Sequence, residues 1–143
     1  MTPIIVDTNV LIDVTTEDPV WADWSSSALA HAQETSIVVI NSIVYAELAA
    51  GFPTIEALDD SLPADLYRRE PVPFPAAFLA GRCFADYRRR GGSRSGVLPD
   101  FFIGAHAAVS GYRLLTRDPR RYRTYFPALE LITPIMPAQP RLL

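Results

Sequence analysis

The chain has 143 residues, 49% hydrophobic and 20% charged, with a formal net charge of −3, which fits one globular domain and excludes a disordered or fibrous chain. The single cysteine, Cys83, excludes an internal disulfide framework. No apolar run approaches the roughly 20 residues of a membrane span and the N-terminus has no signal-peptide pattern, so we expect a cytoplasmic protein without membrane attachment.

Short apolar strands alternate with helices along the chain. The first half predicts a strand at 3–7, a short helix from Asn9, a helix from Asp18-Pro19 to about Gln33, a strand at 36–40, a helix from Asn41-Ser42 to Ala50 and a helix at 54–62. The second half predicts an extended segment at 66–72, a helix at 76–90, a glycine-rich loop at 91–96, a helix from Pro99 to Ser110, a strand at 113–116, a short helix at 119–125 and a strand at 129–133. This alternation indicates an α/β domain over residues 1–133 with a mainly parallel sheet, followed by a proline-rich tail at 134–143.

Four carboxylates stand at positions where a structural role is hard to assign. They are Asp7 after the apolar run 4–6, Glu47 within the apolar stretch 43–50, Asp100 before the run 101–103, and Asp118 after residues 114–117. Burying an unpaired carboxylate is costly, so such a group is usually paired, protonated or bound to a metal. Because ligands of parallel sheets bind outside the carboxyl ends of the strands, we expect the four acids to converge at that edge on one cation site.

A carboxylate site without histidine or cysteine favours Mg²⁺ or Mn²⁺ over zinc. One or two such ions activate water and offset phosphate charge, which indicates phosphodiester hydrolysis without a protein nucleophile. Each acid also has an ordinary alternative role: Asp7 and Asp118 as helix caps, Asp100 in a first helical turn, and Glu47 in an ion pair with an arginine. Capping does not account for Glu47, which is therefore the most diagnostic of the four.

The ordered set of motifs resembles the PIN domain, and more narrowly the VapC-type toxins of toxin–antitoxin pairs. The motifs are Val6-Asp7-Thr8-Asn9, Glu47 in an Ala-Glu-Leu context, Leu98-Pro99-Asp100 before Phe101-Phe102-Ile103-Gly104-Ala105, and Leu115-Thr116-Arg117-Asp118. The resemblance covers about residues 3–133. It implies a three-layer α/β/α fold with a central, mainly parallel sheet, an Mg²⁺- or Mn²⁺-dependent endoribonuclease, a cognate antitoxin that inhibits it, and a homodimer.

The resemblance also implies the site residues. Asp7, Glu47, Asp100 and Asp118 match an acidic quartet that is both catalytic and metal-binding. Asn9 matches a polar residue that orients the first acid, and Thr116 matches a supporting hydroxyl. Many family members carry another acid three residues after the position of Asp118, where this chain has Arg121 and then Tyr122. A second metal ion is therefore expected to be held weakly, or only together with substrate.

The basic residues are clustered, and all thirteen are arginine. Residues 82–123 carry ten arginines and three acids, whereas residues 1–81 carry two arginines and twelve acids. A basic segment beside an acidic one suits a polyanion held near a cation site, although a solvated basic face or pairing with the acidic half explains it equally well. The arginines expected to bind RNA phosphates are Arg88, Arg89, Arg90, Arg94 and Arg117.

Two other function classes remain open at this point. A catalytically weak PIN module would bind RNA or a protein partner without cleaving. A receiver-like signalling domain also gathers acids around Mg²⁺, but it is expected to carry a lysine near its phosphoacceptor, and this chain contains none. The identity of the RNA target does not follow from the sequence, because recognition of single-stranded RNA depends on loop shape and exposed bases.

Overall fold

The computed structural model describes residues 2–93 and 95–135, which form five strands, seven α-helices and one short 3₁₀ helix. The strands are β1 (Ile4–Val6), β2 (Val38–Asn41), β3 (Arg68–Glu70), β4 (Arg113–Leu115) and β5 (Leu131–Ile132). The α-helices are α1 (Thr8–Thr15), α2 (Ala22–Thr35), α3 (Ser42–Ala49), α4 (Ile55–Ser61), α5 (Phe74–Arg89), α6 (Leu98–Ser110) and α7 (Arg120–Tyr125), and the 3₁₀ helix is Ser95–Val97. Each predicted element is present. Residues 136–143 of the predicted tail lie outside the described part of the chain.

All strand pairs are parallel, and the strand order is β3-β2-β1-β4-β5. The chain moves outward from β1 to β3 and then crosses back to β4. Because crossovers between parallel strands are right-handed, this reversal places helices on both faces of the sheet. The predicted three-layer α/β/α fold is confirmed, and the topological switch point lies between β1 and β4.

The centre of the sheet is the core of the domain. Every residue of β1 and β2 is buried, as expected for strands covered on both faces. In the register of the sheet, Ile4 pairs with Val38 on one side and with Arg113 on the other, and Ile5 pairs with Val39 and Leu114. This register brings the carboxyl ends of β1 and β4 side by side.

The helix starts follow the predicted caps with one difference. Asn41 caps α3 as expected, because its Oδ1 accepts hydrogen bonds from the backbone N–H groups of Ile43 and Val44, both at 3.0 Å. The carboxylate of Asp18 accepts from the N–H groups of Val20 and Trp21, at 2.9 and 2.8 Å. These bonds close a separate turn, so α2 begins at Ala22 and not directly after Pro19.

A buried histidine ties α6 to the sheet. The side chain of His106 is fully buried, and its Nδ1 lies 3.1 Å from Nδ2 of Asn41. Because Oδ1 of Asn41 already caps α3, its amide group donates, Nδ1 of His106 accepts, and the proton is on Nε2, 3.4 Å from Glu70. Burial lowers the pKa of His106, which keeps the ring neutral. No helix in residues 2–93 or 95–135 is long and apolar enough to cross a membrane.

Candidate active site

A polar site lies at the switch point of the sheet. Asp7 directly follows β1 and Thr116 directly follows β4, and the backbone N–H of Asp7 donates to the carbonyl of Leu115 at 2.8 Å. Asp7 is only 5% exposed. The parallel pairing of two central strands therefore places a carboxyl group almost entirely inside the protein.

Hydrogen bonds fix the carboxyl group of Asp7 in one orientation. Its Oδ2 accepts from the hydroxyl of Thr116 at 2.8 Å, the phenol of Tyr122 at 2.9 Å and the amide of Asn9 at 3.3 Å. Asn9 also donates to Thr116 at 3.3 Å. The structure thus brings the two predicted supporting residues, Asn9 and Thr116, against the first acid.

Tyr122 is a functional candidate that the sequence analysis missed. It stands among arginines in α7, yet it is only 2% exposed. Burial, and then the negative charge of Asp7, raise its pKa well above the usual value, so the phenol stays protonated and donates. Phe126, four residues later, is also buried. Two aromatic residues at this spacing were the sequence signal that one face of this helix is buried.

Glu47 projects from α3 at the surface of the site. Its Oε1 accepts a hydrogen bond of 2.7 Å from the hydroxyl of Thr8, the first residue of α1. Thr8 is buried, so its hydroxyl is a fixed anchor for the more exposed carboxylate. Thr8 therefore orients Glu47, a contact that joins α1 to α3.

Three of the four predicted acids form one electrostatic cluster, hereafter the acidic cluster: Asp7, Glu47 and Asp100. Burial, followed by repulsion from Asp100, raises the pKa of Asp7 to about 7, and Glu47 adds to this shift. The pKa of Glu47 is raised by desolvation and by the charge of Asp100, although the hydrogen bond from Thr8 partly opposes this. Asp100 comes from the first turn of α6. The cluster thus combines β1, α3 and α6.

Asp118 lies at the rim of the acidic cluster. Its side chain is 52% exposed and lies 3.3 Å from Nε of Arg120. Its backbone N–H donates to Thr116 at 3.1 Å, which links it to the support of Asp7. The alternative capping roles find no support within the described helices, because Asp7 makes no side-chain cap bond at α1 and the N-cap residue of α7 is Pro119, not Asp118.

The donor chemistry of the acidic cluster fits a hard divalent cation. Burial, and then repulsion from Asp100, raise the pKa values of Asp7 and Glu47, and a cation would relieve the repulsion. In the described residues, no three Asp, Glu, His or Cys side chains are already arranged to hold one ion. Oδ2 of Asp100 instead lies 2.5 Å from Nη1 of Arg121.

The arginines predicted to bind RNA fall into two groups. Arg88, Arg89 and Arg90 are exposed at the end of α5, where the last two pair with Asp86 at 3.4 and 3.1 Å. Arg94 lies outside the described residues. The guanidinium of Arg90 also lies 5.8 Å from the ring centre of Tyr125, which lines the same cavity as Asp100.

Arg117 differs from that group because it is paired with a buried carboxylate. Its Nε donates to Asp13 at 2.7 Å, and its guanidinium lies 5.5 Å from the ring centre of Trp21. Asp13 is only 1% exposed and also accepts a 2.7 Å bond from Ser25. Asp13 was not among the residues predicted from the sequence, and this buried partner gives Arg117 a structural role next to the site.

Comparison with known proteins supports the fold. A model of the PIN domain family matches residues 4–127. No curated protein sequence matches the chain at a significant level.

Solved structures of similar fold come from several bacteria. The VapBC2 structure from Rickettsia felis, bound to a DNA fragment from its promoter, is 20% identical to this chain and has a TM-score of 0.68. The match covers 92% of this chain and 98% of that one. VapBC-1 from nontypeable Haemophilus influenzae is 18% identical with a TM-score of 0.68, over 92% and 97%. A toxin–antitoxin complex from Klebsiella pneumoniae is 21% identical with a TM-score of 0.62, over 92% and 98%. At these identities the similarity establishes the fold.

Proposed function

Since the chain belongs to the PIN domain family, we propose that it is a metal-dependent endoribonuclease of the VapC toxin type, inhibited by a cognate antitoxin. The observation that carries the proposal is the acidic cluster at the switch point, where burial and then the charge of Asp100 raise the pKa of both Asp7 and Glu47. The similar structures are VapBC and toxin–antitoxin complexes and cover nearly the whole of both chains, which supports the narrower assignment. A toxin that cleaves cellular RNA would act in the cytoplasm.

In this proposal Asp7, Glu47, Asp100 and Asp118 hold Mg²⁺ or Mn²⁺. The bound cation supplies Lewis-acid stabilisation of the charge that develops on the phosphate. The protein's part is orientation: Tyr122 and Thr116 fix the carboxyl group of Asp7, and Thr8 fixes that of Glu47. Holding these acids in place before substrate binds removes a reorganisation cost from the reaction.

Loss of either of two acids tests the proposed activity. Asp100→Asn and Glu47→Gln are each expected to reduce Mn²⁺-dependent cleavage of a single-stranded RNA by at least about 100-fold, because each removes a negative ligand and preserves shape. The measurement is the initial rate of cleavage of an end-labelled RNA over a Mn²⁺ titration, with folding checked by circular dichroism. Glu56→Gln, in the first turn of α4, is the matched control and should leave the rate unchanged.

Cleavage by both variants at the parent rate would show that the mechanism is wrong. If instead the parent binds RNA but cleaves none at any Mn²⁺ concentration, the chain is a PIN module that only binds. One observation favours that second candidate: Arg121 already pairs with Asp100 in the acidic cluster.

RNA phosphates are proposed to bind at the exposed end of α5. Replacing Arg88, Arg89 and Arg90 simultaneously by glutamine is expected to weaken RNA binding and to flatten its salt dependence. The slope of the logarithm of the binding constant against the logarithm of the salt concentration should decrease in magnitude by about 0.7 for each single-strand phosphate that an arginine no longer neutralises. The measurement is the dissociation constant of a labelled RNA at several salt concentrations. Arg68→Gln with Arg69→Gln, on β3, also lowers the positive charge and should change the slope little. An equal change in both variants would place the RNA elsewhere.

Two surfaces support the proposed protein partners. An open cleft of about 580 Å³ runs between α1, the end of α3 and the segment before α4, lined by Ile12, Leu48 and Phe52 with Glu47 at its edge. We assign this cleft to the antitoxin, which would thereby cover one member of the acidic cluster.

Phe74 and Phe78 are 90% and 70% exposed, one turn apart on α5, and we assign this apolar patch to the homodimer.

A further inference from the structure

Arg121 is in direct contact with a member of the acidic cluster. Its Nη1 lies 2.5 Å from Oδ2 of Asp100, in an ion pair whose side chains are 25% and 30% exposed. Its guanidinium also lies 5.9 Å from the ring centre of Tyr87. Asp100 and Tyr87 therefore contact the guanidinium from two sides in a partly desolvated environment, where an ion pair is stronger than on an open surface.

This pair occupies the same carboxylate that a divalent cation would use. Asp100 is the member of the acidic cluster whose charge acts on both Asp7 and Glu47, and Arg121 pairs with it. A cation on Asp100 would lie next to the guanidinium that contacts Oδ2, and the two positive charges repel each other. Arginine cannot lose its proton at neutral pH, so movement of its side chain relieves this repulsion.

The space next to the pair can receive that movement. Arg121 and Asp100 line an open cavity of about 370 Å³ together with Tyr87, Asp118 and Tyr125. A guanidinium that leaves Asp100 stays in this cavity, where Tyr87 still offers a ring face. Arginine binds phosphate through two parallel hydrogen bonds, so the released side chain suits an RNA phosphate beside the acids.

We propose that Arg121 is a displaceable counter-ion of the acidic cluster, bound to Asp100 when no divalent cation is present and transferred to an RNA phosphate when a cation takes its place on Asp100. The RNA part rests on the proposed nuclease function, whereas the competition with the cation does not. Removing the arginine then has two effects of opposite sign: the cation binds more tightly and RNA binds more weakly. A residue with a merely structural role would not produce this combination.

The first test measures Mn²⁺ binding without RNA, by isothermal titration calorimetry on the whole chain. Arg121→Gln is expected to bind Mn²⁺ about three- to tenfold more tightly than the parent. This range corresponds to the strength of the partly exposed ion pair that the substitution removes. Arg121→Lys keeps the charge and should stay close to the parent. Arg123→Gln, on the same helix, is the control for a general change in net charge and should also stay close.

The second test measures the affinity for a single-stranded RNA with EDTA and with Ca²⁺. With Ca²⁺, Arg121→Gln and Arg121→Lys should both bind RNA several-fold more weakly than the parent, because lysine cannot form the two parallel bonds with phosphate. With EDTA, both should bind like the parent, since Arg121 is then on Asp100. An RNA affinity for Arg121→Gln that is unchanged with Ca²⁺ overturns the transfer to phosphate.

The Mn²⁺ outcomes separate this inference from the proposed function. If Arg121→Gln binds Mn²⁺ with the parent's affinity or more weakly, the counter-ion role is overturned while the nuclease proposal stands. If the parent and all variants bind no Mn²⁺, both are overturned. Tighter binding in Arg121→Gln alone, with Arg123→Gln unchanged, supports the inference.

Discussion

At pH 8 and without metal, the Asp7→Asn variant is expected to be more stable than the parent protein while losing RNA cleavage. The carboxyl group is 5% exposed, and its pKa is raised from 3.8 to about 7. Ionising it at pH 8 therefore costs the folded state about 4 kcal/mol relative to the unfolded chain. Asparagine keeps the shape without the charge, so we expect the free energy of unfolding to rise by about 2–4 kcal/mol.

The pH dependence has a definite sign. Because the pKa is higher in the folded state, the contribution of Asp7 to stability is fully present below about pH 3.8 and is lost as the pH rises through about 7. The stability difference between variant and parent should therefore shrink from pH 8 to pH 5. Urea unfolding in EDTA at the two pH values measures this difference.

Asp118→Asn provides the matched control for stability. Its carboxyl group is 52% exposed, so the same substitution should change the free energy of unfolding by less than about 0.5 kcal/mol. An Asp7→Asn variant that is less stable than the parent at pH 8, or that still cleaves RNA at the parent rate, would contradict the role assigned to this residue. A stabilising and inactivating substitution is the expected signature of an acid that is kept for function.

The second large effect is expected at Gly104, in the middle of α6. A Cβ atom there would lie 2.5 Å from Cε2 of Phe126 and 3.0 Å from Cδ1 of Tyr122. Both rings are buried, so Gly104→Ala forces α7 to shift and should lower the free energy of unfolding by about 1–3 kcal/mol. Because Tyr122 donates to Asp7, RNA cleavage should fall as well.

Gly81→Ala tests the same change without the close contact. Gly81 is a helix glycine in α5 with no heavy atom within 4 Å of the added Cβ position, so alanine should raise the free energy of unfolding by about 0.5–1 kcal/mol through helix propensity. Urea unfolding of both variants gives the comparison. If Gly104→Ala gained stability as Gly81→Ala does, the packing of α7 on α6 would not depend on this glycine.

Much of the local structure was predictable because it depends on near neighbours in the chain. Asn41 caps α3 through bonds to residues two and three positions later, and Gly111 ends α6 in the left-handed conformation that favours glycine. Asp18 also bonds to neighbours two and three positions on, but those bonds close a turn before α2 begins. The proximity of Asp7, Glu47 and Asp100 was predictable for a different reason, because their positions at strand and helix ends match a family pattern.

The partners of the site residues required the tertiary structure. Tyr122 and Asp7 are 115 positions apart, and Arg117 and Asp13 are 104 apart. No local pattern specifies such pairs, because they depend on β4 lying beside β1 and on the packing of α7 against α6. The same dependence explains why Arg117 was predicted only as an RNA ligand, when its guanidinium is held by Asp13 and Trp21.

The amino-acid sequence alone specifies the alternation of strands and helices, the cap of α3 and the positions of the four carboxylates, because backbone preferences and apolar periodicity act over a few residues. The differences between the acids depend on the tertiary structure. Asp7 is buried and accepts three hydrogen bonds, Asp118 is half exposed at the rim, and Asp100 is paired with Arg121. Burial and charge pairing arise from elements far apart in the chain, and they determine which carboxylate is costly to ionise and which is paired with an arginine.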